Sequence, residues 1–455
     1  MPTDFRILFS LMLCGVIALG GCSSGEGALR GPQVAGATYR SADEQIHVAA
    51  ASHQWPAAVL EPKLPYDRAL TLREAMDRAL RFSPSLQAAS FEVEAKLGEV
   101  AQAAVRPNPE LTADVENFGG TGDLGGLNSA EGTLALSQLV ELGGKRFKRL
   151  AVADLDRAVS VWDFEAARLR TIRETAEAFI DVLAIQEAIE RSREANRLAR
   201  ELERDVQARV DAGQANPIEI QRTRPMVANT LVTLEAERAK LEATKRRLAS
   251  MWGQSRPDFA RVAGEFSKST RVRSIDSILQ QLDENPEVAR WSDEIARRNA
   301  VVGLEIAKSI PDVTLGAGIR RLNDTDDTAL VASASLSLPI FDRNSGNIAA
   351  AEARLSKAEY ERRSSLASLR GAVLSAYADL SGSAAEVRAL AEDVVPPARL
   401  AYQSLQASFK AGASQLLDVL DARRVLFEAQ LNLIRAQANF EKAKVRIEGL
   451  IGQRI

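Results

Sequence analysis

Between Lys145 and Ala212 the chain runs 68 residues without a glycine or a proline, closed by Gly143-Gly144 before it and by Gly213 and Pro217 after it. As one α-helix it would be roughly 100 Å long at 1.5 Å rise per residue, several times an ordinary globular helix. Such a rod cannot sit inside a compact domain. Along its middle, Leu155, Ala158, Trp162, Leu169, Ile172, Ala176, Phe179 and Leu183 follow 3-4 spacing, interrupted by Glu165. That is a coiled-coil seam, which needs partner helices along its length.

The partners are expected from a repeat. Ser83-Pro84 answers to Asn285-Pro286, Pro109-Glu110-Leu111 to Pro311-Asp312-Val313, Leu136-Ser137 to Leu336-Ser337, Gly213 to Gly412 and Gly253-Gln254 to Gly452-Gln453, at offsets of 202, 202, 200, 199 and 199. A constant offset between unlike landmarks indicates a tandem duplication of about 200 residues. Thr71 with Glu74 forms a capping box that opens the first helix, and Ser83 with Pro84 opens a second, running to about residue 106. The rods are expected at 145–212 and 347–411, and their shorter partners at 84–106 with 217–251 and at 286–309 with 414–451. In each half the two short helices laid end to end come close to the long one in length. Each half therefore reads as a helical hairpin of uniform length, with Asn216 capping the return helix. The last helix has the cleanest seam: Val419, Ala422, Leu426, Ala429, Leu433, Ala436, Phe440, Ala443, Ile447 and Leu450. Pro396-Pro397 should kink the second rod, a feature absent from the first.

At the ends of the rods the period changes from helical to alternating. Leu111, Ala113 and Val115 share one strand face and Thr112, Asp114 and Glu116 the other, and residues 132–140 return. Val313, Leu315, Ala317 and Ile319 alternate with small or polar residues, as does Leu330 to Leu338 against Ser333, Ser335 and Ser337. Four strands, at about 109–118, 132–140, 311–320 and 329–338, have the length that crosses a bilayer when tilted. Open edges are not tolerated in lipid, so four strands oblige the chain to oligomerise. Two copies would fill an eight-stranded barrel with side chains, whereas three copies give twelve strands and a water-filled lumen. The fold class is mainly α with a small β part: duplicated long hairpins building a periplasmic α-barrel, continued by a trimeric twelve-strand β-barrel.

Residues 1–21 read as a lipoprotein signal peptide: Arg6 is the basic region, Ile7 to Leu19 the apolar core, and Leu19-Gly20-Gly21-Cys22 the cleavage box. Cys22 is the expected lipid attachment site, and Ser23-Ser24 after it lack an inner-membrane retention aspartate. Cys14 would leave with the signal, so no disulfide framework is expected. Residues 22–70, rich in Gly, Ala, Ser and Pro, are expected to be a tether. The first repeat is assigned 71–254, a linker 255–273 and the second repeat 274–455.

Net charge of −3 and a pI near 5.8 argue against nucleic acid as a partner. No nucleophile, base and metal constellation points to an enzyme, and no catalytic residue, cofactor or metal site is assigned. The glycine-rich turn Gly119 to Gly126 lacks the Gly-Lys-Ser/Thr ending of a phosphate loop. His47 and His53 are the only histidines and lie in the tether; a metal-capture pair there is a minor alternative. Asp324, Asp326 and Asp327 lack the later glutamate of a calcium loop and read as a solvated acidic rim. Met76, Met226 and Met251 read as core. The turns at Gly213 and Gly412 lie at the rod ends farthest from the strands, where glycine permits positive φ and close helix approach. Asp418 and Asp421, three apart just past the second turn, share a helix face beside the Val419/Ala422 seam. In a trimer each would form a ring of carboxylates, although an acidic residue in a first helical turn also meets the macrodipole favourably.

The lipobox, the duplicated plan and the run Ala411-Gly412-Ala-Ser-Gln-Leu-Leu-Asp418-Val-Leu-Asp421-Ala resemble the outer membrane efflux protein (TolC) family over residues 71 to 455. The anchor, Leu142-Gly143-Gly144-Lys145-Arg146 and Arg106-Pro107-Asn108-Pro109-Glu110 are most similar to the branch serving heavy-metal pumps of the cobalt-zinc-cadmium or copper-silver type. What the resemblance implies is a homotrimeric, passive exit duct in the outer membrane that extends into the periplasm. It would dock a periplasmic adaptor (membrane fusion protein) and an inner-membrane resistance-nodulation-division (RND) pump. Gly213 and Gly412 would touch the adaptor, and Asp418 and Asp421 match the family's pore constriction. A duct for drugs or organic compounds, and a periplasmic coiled-coil adaptor, are the alternative readings.

Overall fold

A computed structural model of the chain describes residues 68–267, 269–282 and 285–452. Cys22, His47 and His53 lie outside the described residues. The described elements run β1 (Ala69–Thr71), α1 (Leu72–Phe82), α2 (Pro84–Ala103), β2 (Glu110–Glu116), β3 (Glu131–Val140), α3 (Lys145–Asp211), α4 (Ile218–Ser250), β4 (Arg261–Ala263) and α5 (Ile275–Leu279). The second half continues with α6 (Pro286–Lys308), β5 (Val313–Leu322), β6 (Asp327–Leu336), α7 (Ser345–Arg388), α8 (Val395–Lys410) and α9 (Leu416–Ile451).

The rod α3 is one continuous helix of 67 residues. Its burial is broader than the single expected seam. Ala176, Phe179 and Leu183 are buried as that seam requires, but so are Thr171, Thr175, Ala178 and Val182, because α3 is flanked by α4 and by α9. The seam of α9 holds closely, with Val419, Leu426, Ala429, Ala436, Phe440, Ala443 and Ile447 all buried. Thr71 and Glu74 form both bonds of the capping box, and the Asn216 side chain accepts the Ile218 amide at 3.0 Å. The first short helix stops at Ala103, earlier than expected, where Arg149 donates to the free carbonyls of Ala103 and Val105.

The short helices do stack end to end. Gly253 after α4 lies so close to the start of α2 that a Cβ there would stand 3.2 Å from the Pro84 ring, and Gly452 after α9 lies likewise beside Pro286 at 3.8 Å. Across the second junction Asn285 Nδ2 donates to the Leu450 carbonyl at 2.6 Å. The second rod departs from regularity where Pro396-Pro397 predict it. Residues Ala389–Val394 between α7 and α8 form a π-helical segment directly before the two prolines, which offer no amide donors to the preceding turn. Pro225 lies inside α4, which carries on through it.

Strands β2-β3-β5-β6 form one antiparallel four-stranded sheet, in that order. Its register puts Leu111, Ala113 and Val115 on the same face as Leu134 and Leu136, Leu315 to Ile319 at alternate positions, and Leu330 to Leu336 at alternate positions. This face is apolar and exposed in the single chain, with Leu111 at 67% and Leu330 at 84%. Strands β2 and β6 are edges without a further partner among the described residues.

A second, parallel pair joins β1 to β4 in a region assigned from sequence to tether and linker. The tether boundary at residue 70 therefore falls inside a strand, and the 255–273 linker contributes Phe259 and Val262 to a core with Leu70, Phe179, Val182, Leu248 and Trp252. Three-residue strands with one buried position give no periodic signal. At the strand-to-rod junction, Gly143 and Gly144 take φ of +68° and +69° in succession. A Cβ on Gly143 would lie 2.8 Å from Ile310 Cδ1. Lys145 pairs with Asp312 at 2.7 Å and the Leu142 amide donates to the same carboxylate. The Leu-Gly-Gly-Lys run is thus the elbow that turns β3 into α3.

Candidate functional site at the rod tips

Gly213 and Gly412 end α3 and α8 in the same way. Each is left-handed, with φ of +68° and +76°. At the first tip the Gly213 amide reaches Val210 O and the Gln214 amide reaches Arg209 O; at the second, Gly412 reaches Phe409 O and Ala413 reaches Ser408 O. These are paired carbonyl-capping bonds that only a left-handed residue allows. Close helix approach, the second role expected of these glycines, is not what the geometry shows. A Cβ on Gly213 would meet nothing within 4 Å and one on Gly412 only the Arg209 guanidinium at 4.0 Å. Backbone conformation alone explains them.

The structure joins the two tips through residues that sequence reasoning missed. Arg209, four before Gly213, stacks over the Phe409 ring at 4.5 Å and donates to the Phe409 carbonyl at 2.6 Å. Lys410 pairs with Asp205 at 3.3 Å. Beneath them Leu202, Val206, Ile220, Tyr402, Phe409, Leu416, Val419 and Leu426 close an apolar core. The available signal was the spacing of Arg209 and Phe409 to their glycines, four and three residues.

Asp418 and Asp421 sit in the first turns of α9 and are both exposed. Asp418 accepts the Gln415 backbone amide at 3.2 Å, as its half of a capping box. Asp421 pairs with Arg424 at 2.7 Å, and Arg424 also reaches Glu428. With Leu417, Val425, Asn432 and Arg435 they make the exposed stripe of α9, opposite its buried seam. The structure therefore places the two carboxylates on one open face and gives each a local partner.

At the other end of the rods, the second face of the sheet is polar. Arg320 reaches across three strands, donating to Thr133 at 2.9 Å and Glu131 at 2.9 Å and to Glu116 at 3.4 Å. Glu110, Asp114 and Asp327 share that face by register. In the β5–β6 loop Asp326 pairs with Arg321, consistent with a solvated rim.

Comparison with known proteins gives a consistent result. The outer membrane efflux protein family matches residues 75–254 and 278–453. The cobalt-zinc-cadmium resistance protein CzcC of Cupriavidus metallidurans is 30% identical over 394 residues, 86% of this chain and 93% of that protein. The nickel and cobalt resistance protein CnrC of the same organism is 27% identical, over 62% of this chain and 67% of that protein. Among solved structures, CusC superposes with a TM-score of 0.73 at 16% identity, covering 86% of this chain and 94% of that one; at that identity it shows the fold alone.

Proposed function

The chain belongs to the outer membrane efflux protein family, and on that premise we propose that it is the outer-membrane exit channel of a tripartite efflux system that exports heavy-metal cations. Members of the family form homotrimers and work with a periplasmic adaptor and an inner-membrane RND pump. The apolar sheet face then meets lipid and the polar face lines the lumen. Conduction is passive; energy and selection enter upstream.

The cation cargo is carried by one observation. On the lumenal face of the sheet, Glu110, Asp114, Glu116, Glu131 and Asp327 stand against Arg320, so each subunit brings an excess of negative charge to the conduit. A cavity lined by one sign of charge concentrates counter-ions. The names of the relatives, which concern cobalt, zinc, cadmium and nickel, point the same way. At the opposite end, Asp418 and Asp421 form the pore constriction and the Gly213 and Gly412 turns meet the adaptor. Cys22 carries the lipid, which tethers the N-terminus while the barrel itself inserts.

A strain lacking this chain should become sensitive to cobalt, zinc and cadmium salts but not to hydrophobic dyes, and an intact copy should restore resistance. Sensitivity confined to dyes and organic toxicants would favour an organic cargo instead. Wild-type protein should take up labelled palmitate and Cys22→Ser should not. Absence of label in the wild type would overturn the lipobox reading.

A further inference from the structure

The segment between the two repeats does more than connect them. Residues 269–277 lie against α7 and α9, and between them opens a groove of about 730 Å³ floored by the buried side chains of Leu380 on α7 and Phe440 on α9. Its charged lining residues are Arg271 and Arg273 of the segment and Lys444 of α9, and no acidic side chain lines it among the described residues. The basic neighbours of Lys444 on the same helix are neutralised, Lys442 by Asp181 and Arg446 by Glu177 of α3. Lys444 projects from the opposite flank and, like Arg271 and Arg273, forms no ion pair among the described residues. Glu441, one turn earlier, instead accepts the Ser267 amide at 3.3 Å. Ser269, Ser274 and Ser277 add hydroxyls to the groove that make no side-chain hydrogen bond among the described residues.

Three like charges gathered in one groove repel one another unless an anion is shared between them. Arginine offers a planar fork of donors and lysine a compact charge with three, and both suit oxyanions, with the serine hydroxyls as further donors. The groove is the size of a cleft for an organic ligand, about 300–1,000 Å³, and so larger than one inorganic ion needs. Two phosphate groups carry a charge of about −3 or more at neutral pH and three acceptor oxygens each, which matches three cations and three hydroxyls. Leu380 lies roughly 50 Å along α7 from Ser345, and Lys444 roughly 40 Å along α9 from Leu416, at 1.5 Å rise per residue. That distance from the sheet is beyond the reach of a lipid headgroup, and the groove is equally remote from the tips, so its ligand is soluble.

We propose that Arg271, Arg273 and Lys444 form, with Ser269, Ser274 and Ser277, a binding site for a soluble ligand of the diphosphate class in each subunit. Occupancy ties the inter-repeat segment to α7 and α9, independently of the cargo that the channel conducts.

The test is a calorimetric titration of the detergent-solubilised trimer with sodium pyrophosphate in metal-free buffer. Saturable binding is expected at one site per subunit, tighter than for orthophosphate or citrate. Arg271→Gln, Arg273→Gln and Lys444→Gln should each weaken it about threefold, the scale of an exposed charge pair, with the losses compounding in the triple variant. Arg271→Lys should retain more affinity than Arg271→Gln, and Arg362→Gln, which removes an exposed charge of α7 outside the groove, should change nothing. Absence of saturable binding to the assembled trimer would overturn the proposal and leave the groove to a contact between subunits. Equal weakening by Arg362→Gln would overturn it as a general charge effect, and equal affinity for citrate or orthophosphate would overturn the diphosphate assignment. If the triple variant fails to assemble, the three single variants decide alone.

Discussion

The carboxylate of Asp418 receives the Gln415 amide, and that bond needs only an acceptor oxygen. Asparagine keeps the acceptor and removes the charge, so Asp418→Asn with Asp421→Asn separates capping from pore electrostatics. The double variant should weaken block by multivalent cations in planar bilayers while leaving trimer melting nearly unchanged. Asp418→Ala removes both and should cost roughly 0.5 kcal/mol of local helix stability, the scale of an acidic side chain in a first turn. An undiminished block in the double-asparagine channel would take these residues out of the constriction. The tip glycines yield to the same kind of reasoning. No atom waits for a side chain at Gly213, so Gly213→Ala should cost only the left-handed backbone penalty, about 1 kcal/mol, and Gly213→Asn less. Hydrogen exchange of the Gly213 and Gln214 amides would read it, with trimer yield unaltered.

Elements are held to one another by polar links as much as by seams. Between α3 and α6, Arg297 pairs with Asp156 at 2.7 Å and Trp162 donates to Asp293 at 2.7 Å, while within α6 Glu294 pairs with Arg297 at 2.8 Å and with Arg298 at 2.7 Å and so holds Arg297 toward α3. Burial pushes the Glu294 carboxyl up, but bonds from the two arginines outweigh it and hold the group below its ordinary range. A depressed carboxylate contributes stability that is complete above its unfolded value, about 4.3, and is lost as pH falls through the lower folded value. Trimer melts should therefore weaken as pH drops below about 4.3, and Glu294→Gln should flatten that slope while lowering stability at neutral pH. A slope identical in the variant would assign the acid sensitivity to other groups.

The sheet offers a second test at this scale, since its two faces differ in what they meet. Leu136→Arg places a charge on the apolar face and should cost about 2–4 kcal/mol near mid-bilayer, seen as lost outer-membrane assembly. Ser137→Arg, one residue on and facing the other way, should insert and alter conductance. Equal assembly of both would contradict the orientation. The division into an apolar and a polar face was legible in the sequence because alternation along a strand survives any small error in strand ends, which moved by no more than two positions. The β1–β4 pair was not legible, for its three-residue strands carry no period. Nor was the burial of Arg423 on α9, which donates to the Ala195 carbonyl of α3: a charged residue beside a seam reads as solvent-facing until a third helix covers it.

For the whole molecule the deciding fact is that the sheet has two free edges. Within one chain β2 and β6 are separated by β3 and β5, three strand spacings or roughly 14 Å at about 4.8 Å each. That exceeds the Cα separation a disulfide can span, about 7 Å at most. A bond between a cysteine on β2 and one on β6 must therefore join two subunits unless the four strands curl onto themselves. Chains carrying Thr112→Cys together with a cysteine at Val331, Ser333 or Ser335 sample the register on the polar face, which these positions share. In a closed twelve-strand barrel, one of the three combinations should oxidise to a covalent species that runs as a trimer on a denaturing gel without reductant and collapses to monomer with it. Because each subunit contributes both edges, partial oxidation should pass through a covalent dimer. A ladder ending at dimer would mean two subunits and an eight-strand barrel too narrow for water. A monomer with altered mobility and no ladder would mean intrachain closure, and with it the loss of the open duct on which export depends.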